Sequence, residues 1–355
     1  MEINESDMKR VYRILSIATA AFLAAACYDD YVRDYEYSGA FFAYQYDLRT
    51  FVVGEGEEIT LGAALGGVID NTRDRNVRIV RDDALLTEDL SYLSGREGTA
   101  RFTAYDGLLG NSGGVGDMSN DYVKTEVLAS GIKSLVPVPE NYVTILDNPG
   151  DLHFDKGNHI AKFRIKAEEA FLSDTRALRP GLAIGFKIVS ADVDTVLSSK
   201  SFTVVALKYE NKFFGNWYHG GETKIVSRDG TVLSTDVVEM KIPQSTAALY
   251  TLSTASPSSV FTDKIGNASG KLLLSFDGDR ITVSDPSGTR AIRPVDGLES
   301  RFNGAKLLQD RELYLNYQFD NADGTVTVVK DTLLFRNRIR DGINEWQDLN
   351  PENYK

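Results

Sequence analysis

The sequence predicts an all-β protein: an immunoglobulin-like β-sandwich followed by an antiparallel β-barrel. Three observations carry this prediction. Short runs rich in Val, Ile, Thr, Tyr and Phe alternate with Gly, Asp, Asn and Pro along the chain beyond residue 38. In the second half, Asp-Gly dipeptides stand between such runs, the strongest short hairpin signal. No amphipathic pattern of helix length appears, apart from short pieces such as Ala167–Leu172. With 42% hydrophobic and 25% charged residues, the composition is that of a chain that folds.

The first element is a secretory signal. Lys9, Arg10 and Arg13 form a basic flank, and Ile14 to Ala26 carries no charge and ends in three alanines. The run is too short to span a bilayer, which takes about 20 apolar residues. Met8 fits a start site, since Met1 to Asp7 places acids where signal peptides carry bases. Cys27 is the only cysteine and follows the alanines directly, the position of the acylated residue of a bacterial lipobox. Ala24 stands where that pattern usually has Leu, with Leu23 one residue further back. The competing reading of Cys27 is a small buried thiol. The expected organisation is a signal peptide over 1–26, a lipidated tether over 27–38, a sandwich over 39–208 and a barrel over 209–355. A mature chain of this length favours two domains over one. Its net charge of −12 excludes nucleic acid as a partner and disfavours electrostatic docking on anionic lipid. Membrane attachment then falls to the acyl chains on Cys27.

In the sandwich half, strands are expected at Ala40–Tyr46, at Glu58–Leu61 leading into Gly62, Gly66 and Gly67, and at Asn76–Val80. Tyr142–Leu146, Ile160–Ile165, Leu182–Val189 and Ser201–Leu207 complete about seven, the number an immunoglobulin-like sandwich uses. Tyr105 to Ser119 breaks the rhythm. Five glycines in its fifteen residues make a strand costly, so it reads as a long loop. No Gly-Lys-Ser or Gly-Lys-Thr follows, which excludes a phosphate loop. The boundary between the halves is expected near Lys208 to Lys212.

Three hairpins organise the second half. Lys224–Val226 and Val232–Leu233 flank Arg228-Asp229-Gly230, Leu272–Phe276 and Arg280–Ser284 flank Asp277-Gly278, and Leu313–Phe319 and Thr325–Lys330 flank Asn321 to Gly324. In the last, Leu313, Leu315, Tyr317 and Phe319 share one face. Consecutive hairpins make a meander, and a meander closes readily into an up-and-down barrel.

Several stretches together resemble the two-domain surface lipoproteins of Bacteroidetes that accompany starch-utilisation-system-type glycan importers. Val136 to Thr144 (Val-Pro-Val-Pro-Glu-Asn-Tyr-Val-Thr) is similar to a Leu-Pro-Glu-x-Tyr-Tyr strand of their N-terminal domain, and Phe154 to Gly157 to the turn that follows it. Gly215 to Gly221 (Gly-Asn-Trp-Tyr-His-Gly-Gly) resembles the opening strand of their lipocalin-like C-terminal domain, and Phe335 to Trp346 a polar signature near their C-terminus. The likeness spans nearly the whole mature chain and departs at Tyr105 to Ser119. It implies a lipocalin-like barrel and a lipid-anchored protein of the outer membrane. Asp29 and Asp30 behind Cys27 resemble the signal that exports such lipoproteins to the cell surface. It further implies a glycan-uptake context, with an outer-membrane importer and its companion binding lipoprotein as partners.

The residues themselves point to no catalytic set. A glycosidase needs two carboxylates a few ångströms apart, and 51 acids supply pairs everywhere, so counting them decides nothing. Asp192-Val193-Asp194 resembles the acidic run of chitinase-type hydrolases but lacks the downstream Glu. His153 and His159 lie six apart with Asp151 and Asp155 nearby, without the short spacing of a metal site, and read as surface residues. No Gly-x-Ser-x-Gly is present. No metal and no cofactor is expected. Sugar binding needs less: a planar aromatic against a sugar ring, with polar neighbours for the hydroxyls. The candidates are Trp346, Tyr105, Trp217 and Tyr218, with barrel-plugging as the competing role of both tryptophans. Arg336, Arg338 and Arg340 alternate, which predicts a charge network with Asp331, Asp341 or Glu345. The expected function is non-catalytic glycan capture. The alternatives are a structural or adhesive surface lipoprotein without sugar affinity and a glycoside hydrolase with an unrecognised site.

Overall fold

The computed structural model describes residues 37–86, 126, 130 and 135–354. The expected signal peptide, Cys27, all but the last two residues of the expected tether and the glycine-rich segment 105–119 lie outside the described residues. The remainder is all-β, an immunoglobulin-like sandwich and a barrel-like closed sheet.

The sandwich is built from β1 (Gly39–Phe41), β2 (Tyr46–Val53), β3 (Glu58–Gly66), β4 (Arg75–Arg81), β5 (Val136–Pro137), β6 (Val143–Ile145), β7 (Leu152–Phe154), β8 (Ile160–Ala167), β9 (Leu182–Ala191), β10 (Thr195–Val196) and β11 (Phe202–Asn211). One sheet runs β10-β1-β3-β8-β6. The other runs β2-β11-β9-β4-β7, with β5 added in parallel to β9. Strand β8 alternates strictly, with Ala161, Phe163, Ile165 and Ala167 buried and the residues between them exposed. Its Phe163 meets Phe186 of the opposite sheet edge-to-face at 4.9 Å between centroids, the geometry that the ring quadrupole favours. The α-helix Glu169–Ser173 is a short turn whose buried Phe171 packs against Phe51.

Two sequence expectations change here. The aromatic run Ala40–Tyr46 is not one strand. It breaks at Phe42–Gln45, where the chain passes from one sheet to the other and the Gln45 carboxamide donates to the Phe42 carbonyl. The strand expected at Glu58–Leu61 runs on through Gly62 to Gly66 as β3. A Cβ on Gly62 would stand 2.3 Å from the Ala161 carbonyl oxygen, so the missing side chain is what lets β8 approach.

The second sheet comprises β12 (Gly215–Val226), β13 (Val232–Val238), β14 (Tyr250–Ser256), β15 (Ser259–Ile265), β16 (Ala268–Asp277), β17 (Arg280–Ser284), β18 (Arg293–Pro294), β19 (Arg301–Phe302), β20 (Glu312–Asp320), β21 (Val326–Arg340) and β22 (Ile343–Glu345). All three Asp-Gly turns connect hairpins as the sequence predicts. Pairing of β12 with β21 from Asn216 to Val226 closes the meander on itself. On its other edge β12 pairs with β14 first and with β13 later. Between them the Gln244 carboxamide stands in for a strand, accepting from the His219 N–H at 2.8 Å and donating to its carbonyl at 2.7 Å. Leu313, Leu315, Tyr317 and Phe319 all face inward.

Two hydrophobic clusters result. One runs from Ala40 to Tyr209 and the other from Phe213 to Phe335. Strand β11 carries the chain through Lys208 to Asn211 between them, with Lys208 paired to Glu126 and Glu210 at 3.1 Å each.

Candidate functional site

The strand Gly215–Val226 sorts the two aromatic candidates of its opening motif by simple alternation. Trp217 points inward and is fully buried. Its indole donates to the Phe213 carbonyl at 3.1 Å and packs edge-to-face on Phe335. A ring sealed in this way cannot stack on a ligand, so the candidate binding role of Trp217 is corrected to that of a barrel plug. Tyr218 points outward, half-buried, with the Arg336 guanidinium 6.0 Å from its ring centroid. Tyr105 lies outside the described residues.

Trp346 is the exposed candidate, with 56% of its surface in solvent. The chain is braced on both sides of it. Before it, Glu345 accepts from Arg338 Nε at 2.6 Å and from Arg340 Nε at 2.9 Å. After it, the Asp348 carboxylate accepts from the Leu308 N–H at 2.7 Å, and the Asp348 N–H donates to Gln309 at 3.2 Å. A row of polar side chains crosses the neighbouring strands. Thr251 Oγ1 donates to Asn216 at 3.2 Å, Asn216 to Asn337 at 3.3 Å, and Asn337 to Asn344 at 2.6 Å. Asn344 ends the row exposed, two residues before Trp346. The exposed indole offers a flat apolar face, and the carboxamide row that ends two residues before it in the chain offers donors and acceptors for hydroxyl groups.

The hairpin carrying Trp346 is fastened to the sandwich through Glu55, which sits in the β2–β3 turn. Glu55 accepts from Arg338 at 2.7 and 3.1 Å and from Arg311 at 2.8 Å. Both guanidinium groups are buried, and Arg311 also donates to the carbonyls of Lys212 and Lys306. Burial pushes the Glu55 carboxyl up, but the hydrogen bonds and charges of Arg338 and then Arg311 outweigh it and leave the carboxyl below its ordinary value. Thr50 adds a hydrogen bond to Asp341 at 2.8 Å. The arginine network predicted from alternation therefore uses Glu345, with Glu55 as an unforeseen partner. Asp341 goes to Thr50, Asp331 goes elsewhere, and Arg336 lies over Tyr218.

Asp331 belongs to a buried cluster that sequence reasoning missed. It accepts from His219 Nε2 at 2.8 Å and from the Tyr250 hydroxyl at 2.6 Å. The Tyr317 hydroxyl next to it accepts from the Gly266 N–H. His219 Nδ1 is buried with no partner among the described residues. Burial first, and the Asp331 charge second, push the Tyr250 phenol far above its ordinary range, so it stays a neutral donor.

Other candidates are occupied structurally. Asp194 accepts from the Ser38 N–H at 2.7 Å and hydroxyl at 2.6 Å, and Asp192 from the Asn76 side chain at 2.8 Å. They latch strands rather than face each other across a cleft. His153 and His159 line an open groove of about 570 Å³ with Asp151 and Asp155. His153 Nε2 stands 3.9 Å from Asp151, and among the described residues no three His, Cys, Asp or Glu side chains converge as metal ligands would.

The architecture is similar to that of a crystallised Bacteroides ovatus protein of unknown function, with 17% identity over 88% of this chain and 98% of that one and a TM-score of 0.57. A second Bacteroides ovatus protein of unknown function aligns over 88% of this chain and all of its own at 11% identity and a TM-score of 0.41, and no argument rests on it. No protein-family model and no curated protein matches the chain. At such identity the likeness establishes the fold alone.

Proposed function

We propose that this protein is a lipid-anchored lipoprotein of the outer-membrane surface that captures glycan without turnover for an outer-membrane importer and its companion binding protein. The observation that carries the reading is Trp346. A large exposed aromatic is fixed between two sets of polar braces and lies two residues from the end of a carboxamide row, which is how a site built for stacking on sugar rings is preorganised. The signal sequence and Cys27 support the surface location, and the resemblance at Gly215–Gly221 and Phe335–Trp346 supports the glycan-uptake context.

The experiment is a glycan array on the mature protein, followed by calorimetry of the hits against Trp346→Ala and Asn344→Ala. A stacking aromatic contributes roughly 1 kcal/mol beyond its area burial, so Trp346→Ala should weaken binding at least severalfold. Asn344→Ala should weaken it less, having lost only neutral hydrogen bonds. Unchanged affinity in Trp346→Ala would remove this site, and an array without hits would remove the glycan reading itself.

A further inference from the structure

Where the sandwich meets the barrel there is a cleft of about 420 Å³, in the size range of small-molecule sites. Gly54, Glu55 and Gly56 of the β2–β3 turn form one wall. Asp279 of the β16–β17 turn and the segment Phe302–Lys306 form the other, with Lys212 and Arg311 between. Gly54, Gly56 and Gly304 all take positive φ and bring no side chain into the space.

The charges lining this cleft do not balance. Arg311 and Glu55 line it and pair with each other, and Glu55 also accepts from Arg338, which lies outside the lining. Lys212 and Lys306 add two positive charges and have no ion pair among the described residues. Asp279 is the lining carboxylate left to oppose them. The lining thus carries one positive charge in excess, in a protein whose net charge is −12. The Lys212 ammonium lies over the rings of Phe213 and Phe302, 5.0 and 5.3 Å from their centroids. Burial, and then the Arg311 charge, lower its affinity for its proton, which a bound anion would restore.

We propose that this cleft binds the carboxylate of an acidic sugar, a uronic acid unit within an oligosaccharide, with Lys212 and Lys306 as its cationic contacts. The inference rests on the glycan-capture reading and adds a charged subsite to it, apart from the Trp346 surface. Asp279 in the wall can accept from ring hydroxyls, while the lysines select for the acid.

The test is calorimetry with trigalacturonate and with its methyl ester, which keeps the shape and removes the charge. The acid should bind at least about tenfold tighter than the ester, since a charge-assisted contact is worth roughly 1.5–3 kcal/mol. Lys212→Gln and Lys306→Gln should each weaken the acid about tenfold. Asp279→Asn should tighten it, an outcome that mere disruption of the cleft would not produce. Trp346→Ala should leave the acid-to-ester ratio unchanged. Equal affinity for acid and ester, or no response to either lysine substitution, would overturn the subsite while neutral-glycan binding left the broader reading standing. If no saccharide binds, acidic or neutral, both fall together.

Discussion

Replacing Glu55 with alanine probes what holds the two β units together. Glu55 is the shared acceptor of two buried guanidinium groups, taking hydrogen bonds of 2.7–3.1 Å from Arg338 and 2.8 Å from Arg311. Removing one partner of a buried ion pair costs about 3–5 kcal/mol, because the remaining charge is left in a medium that solvates it poorly. Here both arginines keep other partners: Arg338 retains Glu345, and Arg311 retains two carbonyls. The expected loss is therefore at the lower end, about 3 kcal/mol. Urea unfolding followed by tryptophan fluorescence in a Trp346→Phe background, so that buried Trp217 is the sole reporter, measures it. The pH dependence carries a definite sign. The folded carboxyl lies below its ordinary value near 4.5, so the clasp contributes fully above that value and weakens as pH falls through the lower folded one. Glu55→Ala should lack this component and lose less stability than wild type on acidification. A Glu55→Ala protein within about 0.5 kcal/mol of wild type, the range of an ordinary surface substitution, would refute the account of Glu55 as a clasp.

Three further outcomes are expected. Trp217→Ala empties a fully buried indole site and should cost about 3–5 kcal/mol of stability, measured by thermal or urea unfolding, while Trp346→Ala should leave stability within about 0.5 kcal/mol of wild type. Tyr250→Phe removes a buried donor from Asp331 and should destabilise by about 1–3 kcal/mol in the same assay, with His219 still holding the other carboxylate oxygen. Cys27→Ala should abolish incorporation of a clickable fatty acid and release the protein from membranes, and equal labelling of mutant and wild type would contradict lipid anchoring at that residue.

How legible each feature was depended on the sequence distance over which it is specified. The Asp-Gly hairpins and the inward face of Leu313, Leu315, Tyr317 and Phe319 follow from neighbours a few residues apart, and the structure has them as read. The closure of β12 on β21 and the stand-in role of Gln244 depend on pairings no local pattern announces. The clasp is harder still, since Glu55 meets Arg311 and Arg338 from 256 and 283 residues away. For His219 the only available signal was its place two residues after Trp217, on the inward side of an alternating strand, which implies a buried partner without naming Asp331. At Gly62 the strand runs on past its expected end at Leu61, because the glycine serves a close approach between strands. For Trp346 the sequence left core and surface evenly matched. Its exposure is set by the Arg338–Glu345 and Asp348–Leu308 braces, which depend on tertiary contacts.

The most direct test of glycan capture is to incubate the mature protein with the best array hit, measure the heat of binding, and then recover the saccharide and weigh it by mass spectrometry. The account predicts saturable binding and a glycan recovered at its original length. A saccharide that gives no binding heat, or one recovered shortened, would contradict it.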